Sequence, residues 1–174
     1  QAIMASGLGW SLMRNCWYAD CIDVHPVHEL TVPIRHALRT GEWLTAANGG
    51  QTGYVVREDS MRAAAAALLS GGRPFGAYEI TGPQALSVVD VARDVEDVFG
   101  RTINVILLDR EDFMRRLIAD GVDPFIATMV ADNELTARQG RVDLITDDVE
   151  RLTGTKPRSL RQYLIDNKSK ISAT

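Results

Sequence analysis

The residue types best suited to chemistry lie near the start of the chain, in the run from Arg14 to Tyr18. They follow an apolar segment, residues 10–13, which we predict to be a buried strand that stops at Arg14 and Asn15. In open α/β sheets, ligands bind beyond the carboxyl ends of strands, where backbone groups are unpaired and side chains converge. There an amide such as Asn15 can hydrogen-bond a ligand oxygen, and the aromatic pair Trp17 and Tyr18 can form an apolar wall. The run therefore indicates a ligand-binding rim, with a plain core role for the two aromatic residues as the alternative.

A second group of candidates, His25 and His28, lies a short way along the chain with Asp23 beside it. Three-residue spacing on a helix could place both imidazoles on one face, as in a metal site. Pro26 interrupts a regular helix and no third ligand pair is apparent, so we expect no metal. We expect residues 23–39 to form a wall over the substrate, with His25 and His28 as substrate-contacting groups or occasional proton donors. A solvated surface helix is the alternative.

Composition limits the classes of protein that the chain can represent. A length of 174 residues suits one domain with a real core, and 45% hydrophobic with 24% charged residues is typical of a soluble globular protein. The net charge of -4 argues against a nucleic-acid-binding surface, and no apolar run reaches the roughly 18 residues of a membrane span. The first residues lack the pattern of a signal peptide. Two cysteines, Cys16 and Cys21, cannot form a disulfide framework, so we expect a cytoplasmic location.

Alternating strands and helices predict an α/β fold. We predict strands at residues 8–13, 42–47, 77–81 and 103–108, the last of them buried on both faces. We predict helices at residues 61–69, 88–98, 110–119, 124–138, 147–152 and 159–165. Asp59 is placed to cap the first of these helices, and Ser87 with Asp90 forms an imperfect capping box before the second. Because the strands are few, we expect the second half of a doubly wound parallel sheet with a small C-terminal helical lobe.

Four segments occur in the order found in one protein family. They are Leu12-Met-Arg-Asn-Cys-Trp-Tyr18, Val55-Val-Arg-Glu-Asp59 before an alanine-rich helix, Ala77-Tyr-Glu-Ile-Thr-Gly-Pro83 with Leu86-Ser87, and Leu152-Thr-Gly-Thr-Lys-Pro-Arg-Ser-Leu160. The resemblance covers nearly the whole chain, and it is to the C-terminal part of NmrA-like atypical short-chain dehydrogenases, which include NADPH-dependent quinone oxidoreductases. In that family the first segment is usually Leu-Arg-Asn-Gly-Trp-Tyr, followed by an acidic residue and Asn. Here Asp20 is the acidic residue, while Cys16 replaces the Gly and Cys21 replaces the Asn.

The resemblance implies a Rossmann-like fold and a nicotinamide cofactor, NADP or NAD, that transfers hydride to a quinone-like or small carbonyl acceptor. It places Asn15, Cys16 and Trp17 beside the nicotinamide and Tyr18 beside the substrate. The catalytic residue stays unassigned. None of the four tyrosines is followed at the fourth position by the lysine with which classical short-chain dehydrogenases lower the tyrosine pKa.

The family's glycine-rich phosphate loop belongs to an N-terminal half to which no segment of this chain corresponds. Gly49-Gly50 and Gly71-Gly72 do not follow a strand and open a helix, so neither is such a loop. We therefore expect the chain to be a C-terminal piece, whose partner is the missing half of its own fold. Residues 1–70 would complete the NAD(P)-binding Rossmann domain, and residues 71–174 would form the substrate lobe.

Two other functions are compatible with the sequence. The first is a redox sensor: some relatives resemble sensors that bind a dinucleotide and signal to a protein partner without turnover, and Cys16 and Cys21 alter the loop nearest the nicotinamide ring. The second is a stand-alone fold that binds no cofactor. For the oxidoreductase we expect a small-molecule substrate, no nucleic acid, no membrane, and a homodimer as one possible assembly. An enzyme should keep an open, aromatic-lined pocket near Asn15 and Trp17, which a sensor could fill.

Overall fold

The structure, a computed structural model, describes residues 2–22, 32–70 and 76–172. The described helices are α1 (Ala2–Ala5), a 3₁₀ helix (Ala19–Ile22), α2 (Val32–Thr40), α3 (Arg57–Leu69), α4 (Val88–Phe99), α5 (Arg110–Ala119), α6 (Pro124–Arg138), α7 (Asp148–Thr153), α8 (Leu160–Asp166) and α9 (Lys168–Ser172). The described strands are β1 (Ser11–Asn15), β2 (Glu42–Thr45), β3 (Gln51–Thr52), β4 (Gly76–Ile80), β5 (Leu86–Ser87) and β6 (Asn104–Leu107). None of these described helices combines the length and the apolar character that crossing a membrane requires.

Parallel pairing of strands that lie far apart in the sequence defines the architecture. β1 pairs in parallel with β4, from Ser11 opposite Gly76 to Asn15 opposite Ile80, and β2 pairs in parallel with β6. The two-residue strands β3 and β5 form a short antiparallel pair. Parallel neighbours need long crossover connections, which the helices between them supply. The prediction of an α/β fold with parallel strands is confirmed.

A parallel bridge between Tyr18 and Val55 joins the loop beyond β1 to the segment before α3. The amide of Val55 donates to the carbonyl of Trp17 at 3.0 Å, and the amide of Ala19 donates to the carbonyl of Val55 at 2.8 Å. Because these two hydrogen bonds lie on either side of Tyr18, they fix the backbone just beyond the carboxyl end of β1.

Two strands differ from their predictions. β1 continues through Arg14 and Asn15 instead of stopping there, and its side chains are half-buried or exposed instead of buried. β6 is not buried on both faces, because Leu107 is 58% exposed. Within the described residues, each of these strands pairs on one side only. They are therefore less covered than strands in the middle of a doubly wound sheet, for which apolar runs are typical.

Of the two capping predictions, at the starts of α3 and α4, one is wrong and one is confirmed. Asp59 does not cap α3, contrary to its prediction, since the N-cap of that helix has no side-chain hydrogen bond. The buried Asp59 carboxylate instead accepts from the backbone amide of Arg158 at 2.7 Å and from the guanidinium of Arg62 at 3.0 Å. It thereby ties α3 to the segment before α8. Ser87 and Asp90 do form a complete capping box at α4, as predicted.

Strand β2 lies between two hydrophobic clusters. Trp43 packs with the first cluster, which contains Ile34 and Val91, and Leu44 packs with the second, which contains Phe113. Successive residues of a strand point to opposite sides, so neighbouring positions of β2 serve different clusters. We call the boundary between the two clusters, at β2, the seam.

A close backbone contact holds the Tyr54 segment against the chain that follows β4. The amide of Gly82 donates to the carbonyl of Gly53 at 3.1 Å. A Cβ atom at Gly82 would collide with the carbonyl oxygen of Tyr54 and lie 2.9 Å from its carbonyl carbon. Glycine is therefore required at this position by the approach of two backbones.

We expect Gly82→Ala to lower the free energy of unfolding by about 3 kcal/mol, because only a backbone shift can accommodate the added methyl group. Gly9→Ala is the matched control: no atom lies within 4 Å of a Cβ built there, and the change should stay below about 0.5 kcal/mol. Urea denaturation measures both variants. Equally small effects would contradict the tight approach of the two backbones.

Candidate functional site

A cleft opens at the seam beside β2. Its wall is largely apolar, with Asn133, Glu134, Tyr18 and Tyr54 as the polar residues among those described. The other described lining residues are Trp17, Pro33, Ile34, Trp43, Leu44, Val88, Val91, Phe113 and Val130. An apolar pocket with a few converging polar groups is the usual form of a small-molecule site.

Trp17 and Tyr18 both line this cleft from the loop beyond β1. The Nδ2 atom of Asn15 donates to the Tyr18 hydroxyl oxygen at 2.7 Å. This bond occupies an acceptor position of the phenol, so the Tyr18 O–H remains able to donate to an oxygen of a bound molecule. Asn15 itself is exposed and is not among the described residues that line the cleft. The structure thus gives Asn15 the position of a group that orients Tyr18.

Arg57 holds the ring of Tyr18 from the other side of the loop. The guanidinium carbon of Arg57 lies 5.1 Å from the centre of the Tyr18 ring, which is a cation–π distance. Asp20 fixes Arg57 in turn: its Oδ1 accepts from the Arg57 amide at 3.0 Å, and its Oδ2 lies 3.7 Å from the guanidinium Nε. The acidic residue of the loop and the first residue of α3 therefore belong to one network that orients the phenol.

Cys16 packs into the protein interior. Its amide donates to the carbonyl of Ile80 at 2.9 Å, and its thiol lies 3.4 Å from the carbonyl oxygen of Val142. Burial raises the pKa of the Cys16 thiol above its ordinary value, which lowers the fraction of reactive thiolate.

His25 and His28 lie outside the described residues, so their contacts with a substrate stay predictions. The described part of the predicted wall is helix α2, from which Pro33 and Ile34 line the cleft. Within the part of the chain that the structure describes, no three His, Cys, Asp or Glu side chains are grouped so that they could hold a metal ion.

Glu134 is a polar residue of the cleft that the sequence did not single out. Its Oε2 atom accepts from the hydroxyl group of Thr45. The same atom accepts from the backbone amides of Ala46 and Ala47, each at 3.0 Å. Because 87 to 89 residues separate Glu134 from these three donors, no local sequence pattern reveals the contact.

Burial shifts the pKa values of Glu134 and Tyr54, which share this wall. It raises the pKa of Glu134 above the ordinary 4.5, although the three donors oppose the shift. It also raises the pKa of Tyr54 well above the ordinary 10.0; the negative charge of Glu134 adds to this effect, and a hydrogen bond with Thr52 opposes it. Tyr54 is therefore a neutral phenol at physiological pH, able to donate a hydrogen bond.

Comparison with known proteins finds no matching protein-family model. The chain is 25% identical over 155 residues to the uncharacterized oxidoreductase YesF of Bacillus subtilis, covering 88% of this chain and 52% of that protein. It is 27% identical over 135 residues to quinone oxidoreductase 2 of Escherichia coli, covering 78% of this chain and 44% of that protein. The chain thus spans about half the length of the curated relatives it matches.

Solved structures of NADPH-dependent reductases share the fold. The NADPH complex of the Escherichia coli NADPH-dependent quinone oxidoreductase matches with a TM-score of 0.85 and 23% identity, over 96% of this chain and 56% of that chain. The Citrobacter triphenylmethane reductase complexed with NADP(H) matches with a TM-score of 0.81 and 21% identity, over 95% of this chain and 55% of that chain. The fold is therefore Rossmann-like. The resemblance to NmrA-like atypical short-chain dehydrogenases is confirmed.

The residues beyond β1 fit one end of the nicotinamide cofactor that this fold implies. A flat ring needs an apolar wall and a few fixed hydrogen-bonding groups. Trp17, which lines the cleft, and the Tyr18 hydroxyl, which accepts from Asn15, are groups of these two kinds. The fit concerns the nicotinamide end; this chain has no glycine-rich loop to which the phosphates can be assigned.

The raised pKa of Glu134 predicts a pH dependence of stability. The native state holds this proton more tightly than the unfolded chain, so the contribution of Glu134 is fully present below its ordinary pKa and is lost as the pH rises through its native pKa. Glu134→Gln removes the titration, and its amide oxygen can replace Oε2 as the acceptor for all three donors.

We expect the stability of the wild type, relative to Glu134→Gln, to fall as the pH rises above about 4.5, by about 1.4 kcal/mol for each unit of pKa increase. Urea denaturation of both proteins across this range measures the difference. A difference that stays constant or rises with pH would contradict the raised pKa.

Proposed function

We propose that this chain is the substrate-side part of an NAD(P)H-dependent oxidoreductase that reduces quinone-like or other small carbonyl acceptors. The observation that carries the proposal is the cleft, where an aromatic wall and phenol donors meet at the end of a parallel strand. Relatives support it, because they include a quinone oxidoreductase, and similar solved structures hold NADPH or NADP(H).

In this proposal the residues beyond β1 serve both the cofactor and the substrate. Asn15, Cys16 and Trp17 flank the nicotinamide of NADP or NAD, which supplies hydride when bound. The Trp17 indole excludes water from the reacting groups. The Tyr18 hydroxyl, whose oxygen already accepts from Asn15, donates to the carbonyl oxygen of the acceptor and stabilises the negative charge that develops there. The neutral phenol of Tyr54 lies in the same wall as a second donor.

Further expectations belong to the same proposal. His25 and His28 contact the substrate from the segment before α2. Residues 1–70 belong to the cofactor domain and residues 71–174 to the substrate lobe. The other half of the fold completes the site, the protein is cytoplasmic, and a homodimer is the assembly to test first.

The dinucleotide-sensing alternative has no observation in its favour. A sensor could fill the pocket near Trp17, whereas the residues that the structure describes leave the cleft beside Trp17 unfilled. Turnover in the presence of NADPH is therefore the property that the following variants address.

We expect Trp17→Ala to lower kcat for 1,4-naphthoquinone by about 100-fold or more in the protein of natural length, because the acceptor loses the wall that orients it. The Kd for NADPH should rise less than about fivefold, since a dinucleotide also binds through its phosphates and adenosine. Steady-state kinetics and calorimetry measure the two effects. Trp10→Ala, at the amino end of β1, is the matched control and should retain turnover. Unchanged turnover in Trp17→Ala would overturn the proposed role.

We expect Tyr18→Phe to lower kcat/KM for the same quinone by about tenfold to 100-fold, because the ring is retained while the hydrogen bond to the acceptor oxygen is lost. NADPH affinity should stay close to that of the wild type. Kinetics at saturating NADPH provide the measurement. A kcat/KM equal to that of the wild type would show that the Tyr18 hydroxyl does not meet the acceptor.

A further inference from the structure

A second cavity, which we call the outer cavity, adjoins the cleft. Pro33, Leu44, Phe113 and Val130 line both spaces. The two spaces are therefore neighbours that share four apolar lining residues, whereas Trp17 and Tyr18 line the cleft and not the outer cavity.

The outer cavity has a largely apolar wall with a few polar groups. Leu117 and Val122 extend the apolar wall, while His36, Arg39 and Asp120 are its polar lining residues among those described. An apolar wall with a few polar groups suits a flat ring system that carries a polar substituent.

The imidazole of His36 indicates which chemical group of a ligand would fit the outer cavity. Its Nε2 atom is buried and has no hydrogen-bond partner among the described residues. Leaving a buried polar nitrogen unpaired costs free energy, which a ligand atom in the cavity would recover. An imidazole nitrogen that carries its proton donates to an oxygen.

The charges around the cavity favour an anionic oxygen. Asp120 lies 3.7 Å from the guanidinium of Arg116, which also lies 3.6 Å from Glu42, so the lining carboxylate already has a cation beside it. The exposed Arg39 forms no ion pair with any residue that the structure describes. A carboxylate or sulfonate is the group that an unpaired guanidinium and an imidazole N–H can bind together.

We propose that the outer cavity binds the far end of an elongated aromatic acceptor, whose terminal carboxylate or sulfonate contacts His36 and Arg39. The reduction of such an acceptor rests on the proposed function, whereas its binding follows from the cavity alone. Acceptor preference would then be set at the outer cavity, and the chemistry would take place beside Trp17 and Tyr18.

Two acceptors separate the cleft from the outer cavity. 1,4-Naphthoquinone is short and uncharged, and anthraquinone-2-sulfonate is longer and carries an anionic end. We expect Arg39→Gln and His36→Leu each to lower the ratio of kcat/KM for the sulfonate to kcat/KM for naphthoquinone by about tenfold. Arg115→Gln is the control, because Arg115 is exposed on α5, pairs with Asp112 and lines neither space. A ratio that stays at the wild-type value in both variants would overturn the proposal.

Calorimetric titration of the cofactor-free protein with anthraquinone-2-sulfonate distinguishes failure of this site from failure of the proposed function. We expect the Kd to rise about tenfold in Arg39→Gln, a surface variant that should fold normally. This rise in a protein that reduces neither quinone would support the site while contradicting the oxidoreductase. No binding to the wild type, or a Kd that neither variant changes, would overturn the site even in an active reductase.

Discussion

Two backbone hydrogen bonds, on either side of Tyr18, position the loop beyond β1 that carries Trp17 and Tyr18 into the candidate site. They join Trp17 and Ala19 to Val55, and so fasten the loop beyond β1 to a segment that is itself fastened to Gly82. Both contacts are made by backbone, so they fix the loop whatever its side chains are. The sequence of the loop is then free to supply chemistry, which is the usual division between a rigid scaffold and functional loop residues.

The cleft lies at a seam between two cores, and this explains its mixture of groups. Trp43 and Leu44 belong to different clusters, so the space between them is bounded by well-packed apolar side chains. Glu134 brings a buried carboxyl group into that seam by accepting from the loop after β2. Its charge in turn adds to the raised pKa of Tyr54. One carboxyl group therefore has a structural role and also adds to the effect of burial on the pKa of a neighbouring phenol.

Sequence patterns predicted the elements whose signals are local. The bounds of α5 and α6 agree with the structure because the side chains that cap them, Asp109 and Asp123, lie directly before each helix. The prediction that β6 is buried on both faces was wrong, since the burial of a strand depends on which elements cover it as well as on its own sequence. The prediction that Asp59 caps α3 was wrong for a related reason. Asp59 lies in the first turn of the helix, yet its carboxylate accepts from the backbone amide of Arg158, which is 99 residues away.

The residues of the candidate site also include some that the sequence could predict and some that it could not. Asn15, Trp17 and Tyr18 could be singled out because they lie at or just beyond the carboxyl end of a strand, and the latter two line the cleft. Glu134 and His36 could not be singled out, because their importance comes from groups on distant elements.

The central claim is that nicotinamide binds beside Trp17 and Tyr18. Nuclear Overhauser effects from the nicotinamide ring protons of NADPH, bound to the protein of natural length, test it most directly. The account predicts effects to the Trp17 indole and the Tyr18 ring; bound NADPH without effects to either residue would contradict it.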